Sequence, residues 1–120
     1  MTKPRVSDEA GAATMLAAVL VAALVTITLG GVWLGAAQVA RHRAQTVADL
    51  AAVAAAGRLP LGPDTACQQA RDLAVVMKAA VRACDVEELD VVVTIAVRMS
   101  GWINSEARAA ARAGPSTTVR

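Results

Sequence analysis

The chain has no Phe and no Tyr, a single His and only two Cys in 120 residues. Trp33 and Trp102 are its only aromatic side chains, which leaves few platforms on which single-stranded nucleic acid could stack. Twelve basic and ten acidic residues give a net charge of +2 with no basic block, too little for the electrostatic footprint of a DNA-binding protein. Nucleic acid is therefore excluded as a partner. Charge is also missing locally: no Asp, Glu, Lys or Arg occurs from Ala10 through Ala40. What fills the gap is apolar. Hydrophobic residues make up 56% of the chain and charged residues 18%, against about 45–50% and about 25% in soluble domains. Such a composition excludes disorder and points to a membrane.

The uncharged run is bounded by Lys3, Arg5, Asp8 and Glu9 on one side and by Arg41, His42 and Arg43 on the other. A bilayer core takes about 20 apolar residues of helix, so the run exceeds one crossing. A span near Ala13–Trp33 contains Leu16, Val19, Leu20, Val21, Leu24, Val25, Ile27, Leu29 and Val32. Together these are worth roughly −3 to −5 kcal/mol of insertion free energy. Three readings compete: a permanent anchor, a short charged leader cut off ahead of a retained helix, and a cleaved secretory signal ending near Gly35-Ala36-Ala37. A secretory core is about 7–15 residues long, shorter than this one. Lys3 and Arg5 face Arg41 and Arg43 across the span, so charge balance alone does not set its orientation.

Gly31 and Gly35, with Gly30 beside them, lie on one face of such a helix. In lipid this spacing lets two backbones approach closely and makes the pair a candidate helix-packing site; local loosening of the helix is the competing explanation. Trp33 is placed as an interfacial anchor.

Beyond Arg41 an Ala-rich stretch continues the helix to Gly57, with an apolar stripe expected from Val39, Val47, Leu50 and Val53–Ala54. Leu59-Pro60-Leu61-Gly62-Pro63 breaks it. Thr65 and Gln68 have capping-box spacing. Ala66, Ala70, Leu73, Ala74, Met77, Ala80, Val81 and Cys84 then follow the helical period, predicting a second amphipathic helix that ends near Arg82. Its polar face, Gln69, Asp72 and Lys78, reads as solvated surface. From Leu89 the period changes to two through Val91, Val93, Ile95, Val97 and Met99, a half-buried strand. Ser100-Gly101-Trp102-Ile103-Asn104 supplies a turn, and the alternation from Glu106 to Ala113 predicts a return strand, although Ala and Arg favour helix.

The expected fold is thus a membrane-anchored α+β chain: a long N-terminal transmembrane and stalk helix, a second amphipathic helix and a C-terminal β-hairpin. Its segments are a charged leader (1–11), the transmembrane and stalk helix (12–57), a small head (58–113) and a tail (114–120). Cys67 and Cys84 fall at opposite ends of the predicted second helix. Seventeen residues of helix would separate them by about 25 Å, whereas a bridge needs Cα atoms about 4.4–6.8 Å apart. Either that helix starts later or breaks and a disulfide forms, or both thiols are free.

No catalytic constellation stands out. His42 has no Cys, Asp or Glu at metal-ligand spacing and lies away from Ser7, Ser100, Ser105 and Ser116, so neither a metal site nor a nucleophile–base pair is expected. The glycines lack the Lys and Ser or Thr of a phosphate-binding loop. The sequence therefore predicts no enzyme, no cofactor and no small-molecule substrate.

The stretch Asp8-Glu9-Ala10-Gly11-Ala12-Ala13-Thr14, a short charged leader and a Gly followed by small residues opening a hydrophobic helix, resembles prepilins of Tad/Flp-type pilus systems. After the span, the sequence from Arg41 to Gly57, containing Arg43-Ala44-Gln45 and Ala48-Asp49-Leu50-Ala51-Ala52, is similar to TadE-like minor pseudopilins, in particular the short actinobacterial members. The resemblance covers the first half of the chain and the ending Ala107-Arg108-Ala109 to Gly114-Pro115. It implies a prepilin-peptidase cut at Gly11–Ala12, with that peptidase and other pilin-like or Tad-system membrane proteins as partners. It also implies a single-pass protein of the cell membrane with its head outside the cytoplasm. The function it implies is that of a non-enzymatic pilin-like or pseudopilin-like subunit of a pilus or secretion assembly. The alternatives are an unprocessed accessory or regulatory membrane protein and a secreted binding module. Family members commonly carry Glu five residues after the cut; here the residue is Leu16.

Overall fold

The computed structural model describes residues 6–99 and 104–115. A helix α1 (Val6–Arg58) is followed by a 3-10 turn (Leu59–Leu61), a helix α2 (Pro63–Val76) and three strands, β1 (Ala80–Glu87), β2 (Asp90–Arg98) and β3 (Glu106–Ala113). The chain divides into two compact units, Met1–Gly35 and Ala36–Arg120.

The first unit is helical throughout its described length. Asp8 and Glu9 occupy the first turn of α1, where carboxylates complement the positive end of the helix dipole. The apolar side chains that follow project outward: Leu16, Val19, Leu24, Ile27 and Val32 are all more than half exposed. Thr14, Thr26 and Thr28 turn their hydroxyls inward, each donating to the carbonyl four residues back at 2.8 Å. That satisfies the three threonine hydroxyls of the run without water.

In the second unit the remainder of α1 presents Ala40, Ala44, Val47, Ala48, Ala51 and Ala55 to the core, at the three- and four-residue spacing of one helix face. This differs from the expected stripe. Val47 is buried, but Val39, Leu50 and Val53 point outward, 68%, 47% and 64% exposed. The sheet supplies the bulk instead, through the fully buried Val91, Val93 and Ile95. A surface already filled by β-branched side chains leaves room mainly for alanine on the helix that packs against it, Val47 being the one larger side chain that α1 buries.

Gly62, at φ 116°, turns the chain between Pro60 and Pro63 and donates its N–H to the Leu59 carbonyl at 2.9 Å. Pro63 then opens α2, where its missing N–H costs nothing. The expected capping box does not form: Gly62 is the N-cap, no side chain caps the helix, and Gln68 donates to Asp72 at 2.9 Å. Nor does α2 reach Arg82. It stops at Val76, and Lys78 adopts φ 55° while the Ala79 N–H bonds to the Ala74 carbonyl and the Lys78 N–H to the Val75 carbonyl. This is the two-bond left-handed helix stop usually built on glycine.

The residues read as the helix tail form β1. Its register shifts between Val81 and Ala83, so Val81, Cys84 and Val86 are its half-buried apolar positions. The bulge stretches one step of the alternation to three residues, which mimics helical spacing. After a turn at Glu88, with φ 57°, β2 pairs with both neighbours in the antiparallel order β1-β2-β3. Leu89 belongs to that turn and is exposed, not the first inward residue of the strand. Val91, Val93, Ile95 and Val97 face the helices, opposite Ala113, Ala111, Ala109 and Ala107 of β3. The predicted hairpin is therefore one half of a three-stranded sheet. Ser100 to Ile103 of the turn lies outside the described residues; at its base the Met99 N–H donates to the Ser105 carbonyl at 2.9 Å.

Candidate functional site

Gly11 and Ala12 lie within α1 and are exposed, and apart from its chain neighbours and the local helix backbone nothing stands within 4 Å of the position a Gly11 Cβ would take. Leu16, one turn further on, is 62% exposed and presents only hydrocarbon. Gly31 and Gly35 are also helical and equally open, with nothing within 4 Å of a built Cβ at either. Four residues apart, they bare a strip of backbone flanked by Val32 and Leu34, both well exposed. Such a strip admits a second helix at a backbone separation that larger side chains would forbid. The helix is long and apolar enough to cross a membrane.

The second unit is held by two cross-links. Cys67 of α2 and Cys84 of β1 form a disulfide with a Cα separation of 5.9 Å, which the end of α2 at Val76 permits. The second is Arg43, whose Nη2 donates to the Met77 carbonyl at 2.7 Å. The guanidinium thereby caps the negative C-terminal end of α2 from the stalk helix.

Polar chemistry on the sheet is confined to its outward face. Glu106 accepts from Arg82 of β1 and lies 3.4 Å from Arg108. Arg112 pairs with Glu87 and stands 3.5 Å from Asp90. The Arg82 hydrogen bond, reinforced by the charges of Arg82 and Arg108, holds the Glu106 carboxyl below its ordinary value, against partial burial acting the other way. These ion pairs were not singled out from the sequence. Their signal is the alternation of Glu106, Arg108 and Arg112 with inward alanines; the partners on β1 were hidden by its helical reading.

Among the described residues no polar or charged side chain is buried, and no group of three His, Cys, Asp or Glu side chains could hold a metal ion. His42 is exposed and contributes its backbone carbonyl to the Thr46 hydroxyl at 2.9 Å. Ser105 sits near Arg98, Asn104, Glu106 and Arg108 with no histidine among them. The Ser7, Ser100 and Ser116 side chains lie outside the described residues. An apolar hollow of about 550 Å³ at the other end of the unit is lined by Ala56, Leu59, Pro60, Pro63, Val86 and Leu89, with Glu88 and Pro115 at its edge. It offers shape without reactive groups.

Residues 11–58 match the family described as "Putative Flp pilus-assembly TadE/G-like". The match begins at Gly11 and ends at Arg58, the last residue of α1. A curated relative from Mycobacterium tuberculosis (strain ATCC 25618 / H37Rv), named "Apoptosis inhibitor Rv3654c", is 54% identical over 54 residues, which is 45% of this chain and 64% of the relative. The chain thus matches somewhat less than two thirds of that relative's length. No solved structure matches the chain. Over residues 11–58, most of its long helix, the chain is similar to TadE/G-like proteins of Flp pilus assembly.

Proposed function

We propose that this TadE-like chain is a non-enzymatic minor pilin-like or pseudopilin-like subunit of a Tad/Flp-type pilus or secretion assembly. Its apolar helix packs laterally against other helices within the membrane, and its small α+β head docks outside the cytoplasm onto a larger assembly. The observation that carries this reading is the TadE/G-like match over residues 11–58, which lies wholly within α1 and ends with it at Arg58. Its apolar part buries nothing within the chain, so a helix-packing role uses the surface that the fold leaves unspent.

In this reading a prepilin peptidase cuts the Gly11–Ala12 bond and the Gly31/Gly35 face contacts a neighbouring helix. Leu16 favours a second reading. A new amino terminus at Ala12 would lack a carboxylate partner in the bilayer, where an unpaired charge is costly. An unprocessed single-pass accessory or regulatory protein avoids that cost.

Mass spectrometry of the mature N-terminus, on protein made in its own host, separates these readings. The subunit reading expects Ala12 as the first residue. Met1 or Thr2 at the terminus, in cells with an active peptidase, sinks it in favour of the accessory protein. A terminus near Gln38 supports a secreted module instead.

A further inference from the structure

The second unit is electrically polarised along the strands. At one end lie Arg98 at the end of β2, Arg108 near the start of β3, and Arg82 of β1, with Lys78 just after α2. Arg41 and Arg43 of α1 join this end. Ala36, Val39, Ala40 and Arg43 share a hollow with Val97, Arg98 and Met99. Ala37, Arg41 and Gln45 share another with Met99, Glu106 and Arg108. Six exposed cationic side chains therefore lie toward this end, where Glu106 is paired, with Asp72 and Asp49 further along the two helices. The opposite end carries Asp85, Glu87, Glu88, Asp90 and Asp64 against Arg58 and Arg112. The whole protein's net charge of +2 conceals this separation.

The basic end is also the end at which the uncharged run joins the unit. The chain passes into it at Ala36, and the first charges after Ala10 are those of Arg41 and Arg43. Where an apolar helix leaves hydrocarbon, its first charges lie at headgroup level. The hollows put Arg98 and Arg108, from a different part of the chain, beside those same helix residues.

We propose that the cationic side chains grouped with Arg41 face an anionic lipid surface, with Arg41, Arg98 and Arg108 binding phospholipid phosphates. Guanidinium suits the role because its planar donors meet phosphate oxygens in pairs. Arg98 and Arg41 have no ion-pair partner among the described residues, so engaging lipid costs neither an existing contact. Glu106 holds Arg82 and one side of Arg108 without neutralising the patch. The inference rests on the reading of α1 as a membrane span.

The full chain, reconstituted in nanodiscs of phosphatidylcholine or of phosphatidylcholine with one third phosphatidylglycerol, tests it. Each arginine's rate of modification by phenylglyoxal is read by peptide mass spectrometry. An arginine at an anionic surface gains about fivefold in local partition, so Arg41, Arg98 and Arg108 should react about fivefold more slowly in the anionic discs. Arg71, on the outside of α2, should react equally in both, and high salt should erase the difference. Arg98→Gln should release the protection of Arg108 in part while leaving Arg71 unchanged.

Equal rates in the two discs overturn the proposal, as does equal slowing of Arg71. Slowing that grows with copies per disc, ignores lipid charge and disappears in Glu88→Lys would overturn it in favour of head-to-tail contact between copies. Failure of the chain to float with vesicles of either composition would instead remove the membrane span, and this inference with it.

Discussion

Cys67 and Cys84 are joined across a Cα separation of 5.9 Å, a covalent link from the second turn of α2 to the bulged part of β1. The two helices contribute mainly alanine to the core around it, so little side-chain volume is available to do the same work. Closing a loop over a sequence separation of 17 contributes about 3 kcal/mol on the chain-entropy account. Cys67→Ser or Cys84→Ser should therefore lower unfolding free energy by about 2–4 kcal/mol, and reductant should do the same to the parent chain. Chemical denaturation of the detergent-solubilised protein measures it; a change below about 1 kcal/mol would show that the unit stands without the bridge.

The hydrogen bond from Arg43 to the Met77 carbonyl predicts a difference between two neighbouring arginines. Arg43→Gln should cost about 1 kcal/mol through the lost charge-assisted bond and the uncapped end of α2. Arg41→Gln, whose side chain makes no such bond, should lie within about 0.5 kcal/mol of the parent, as surface substitutions do. Thermal unfolding of both variants decides; equal losses would contradict the capping role.

The alanine face of α1 predicts intolerance to size. Ala51 is fully buried against the helices and sheet, so Ala51→Leu should destabilise by about 1–3 kcal/mol through overpacking. Leu50→Ala, one residue away and outward, should cost less than about 1 kcal/mol. The reverse order would mean that Leu50, and not the alanines, faces the core. Should Leu50→Ala spare folding but weaken co-purification of envelope partners, the outward residues of the stalk are binding residues.

Glu106 predicts an acid limb. Its folded-state carboxyl is held below the ordinary value of 4.5 by Arg82 first and Arg108 second. The folded state therefore binds this proton less readily than the unfolded state. The contribution is complete above the ordinary carboxylate range and is lost as pH falls through the lowered value. Melting temperature followed from neutral pH into the acid range should fall less steeply in Glu106→Gln than in the parent chain. Identical acid limbs would show that other carboxylates govern the descent.

Features of this protein that depend on neighbouring residues are legible in the chain alone. An uncharged apolar run makes a helix that is exposed from Gly11 to Gly35, and Pro60 and Pro63 on either side of Gly62 end the stalk. Strict alternation through Val91, Val93, Ile95 and Val97 makes the central strand. Even β3 was legible against its helical propensity, because alternating Ala and charged residues fit a strand with one face buried. The remaining features follow from long-range packing, in each case because a distant partner overrides a local preference. The end of α2 at Val76 depends on Lys78 taking a left-handed conformation that its side chain does not advertise. The bulge in β1 disguised its strand period, and with it the approach of Cys84 to Cys67. Which face of the stalk turns inward was settled by volume: a sheet lined with valine and isoleucine selects the alanines and leaves Val39, Leu50 and Val53 outside.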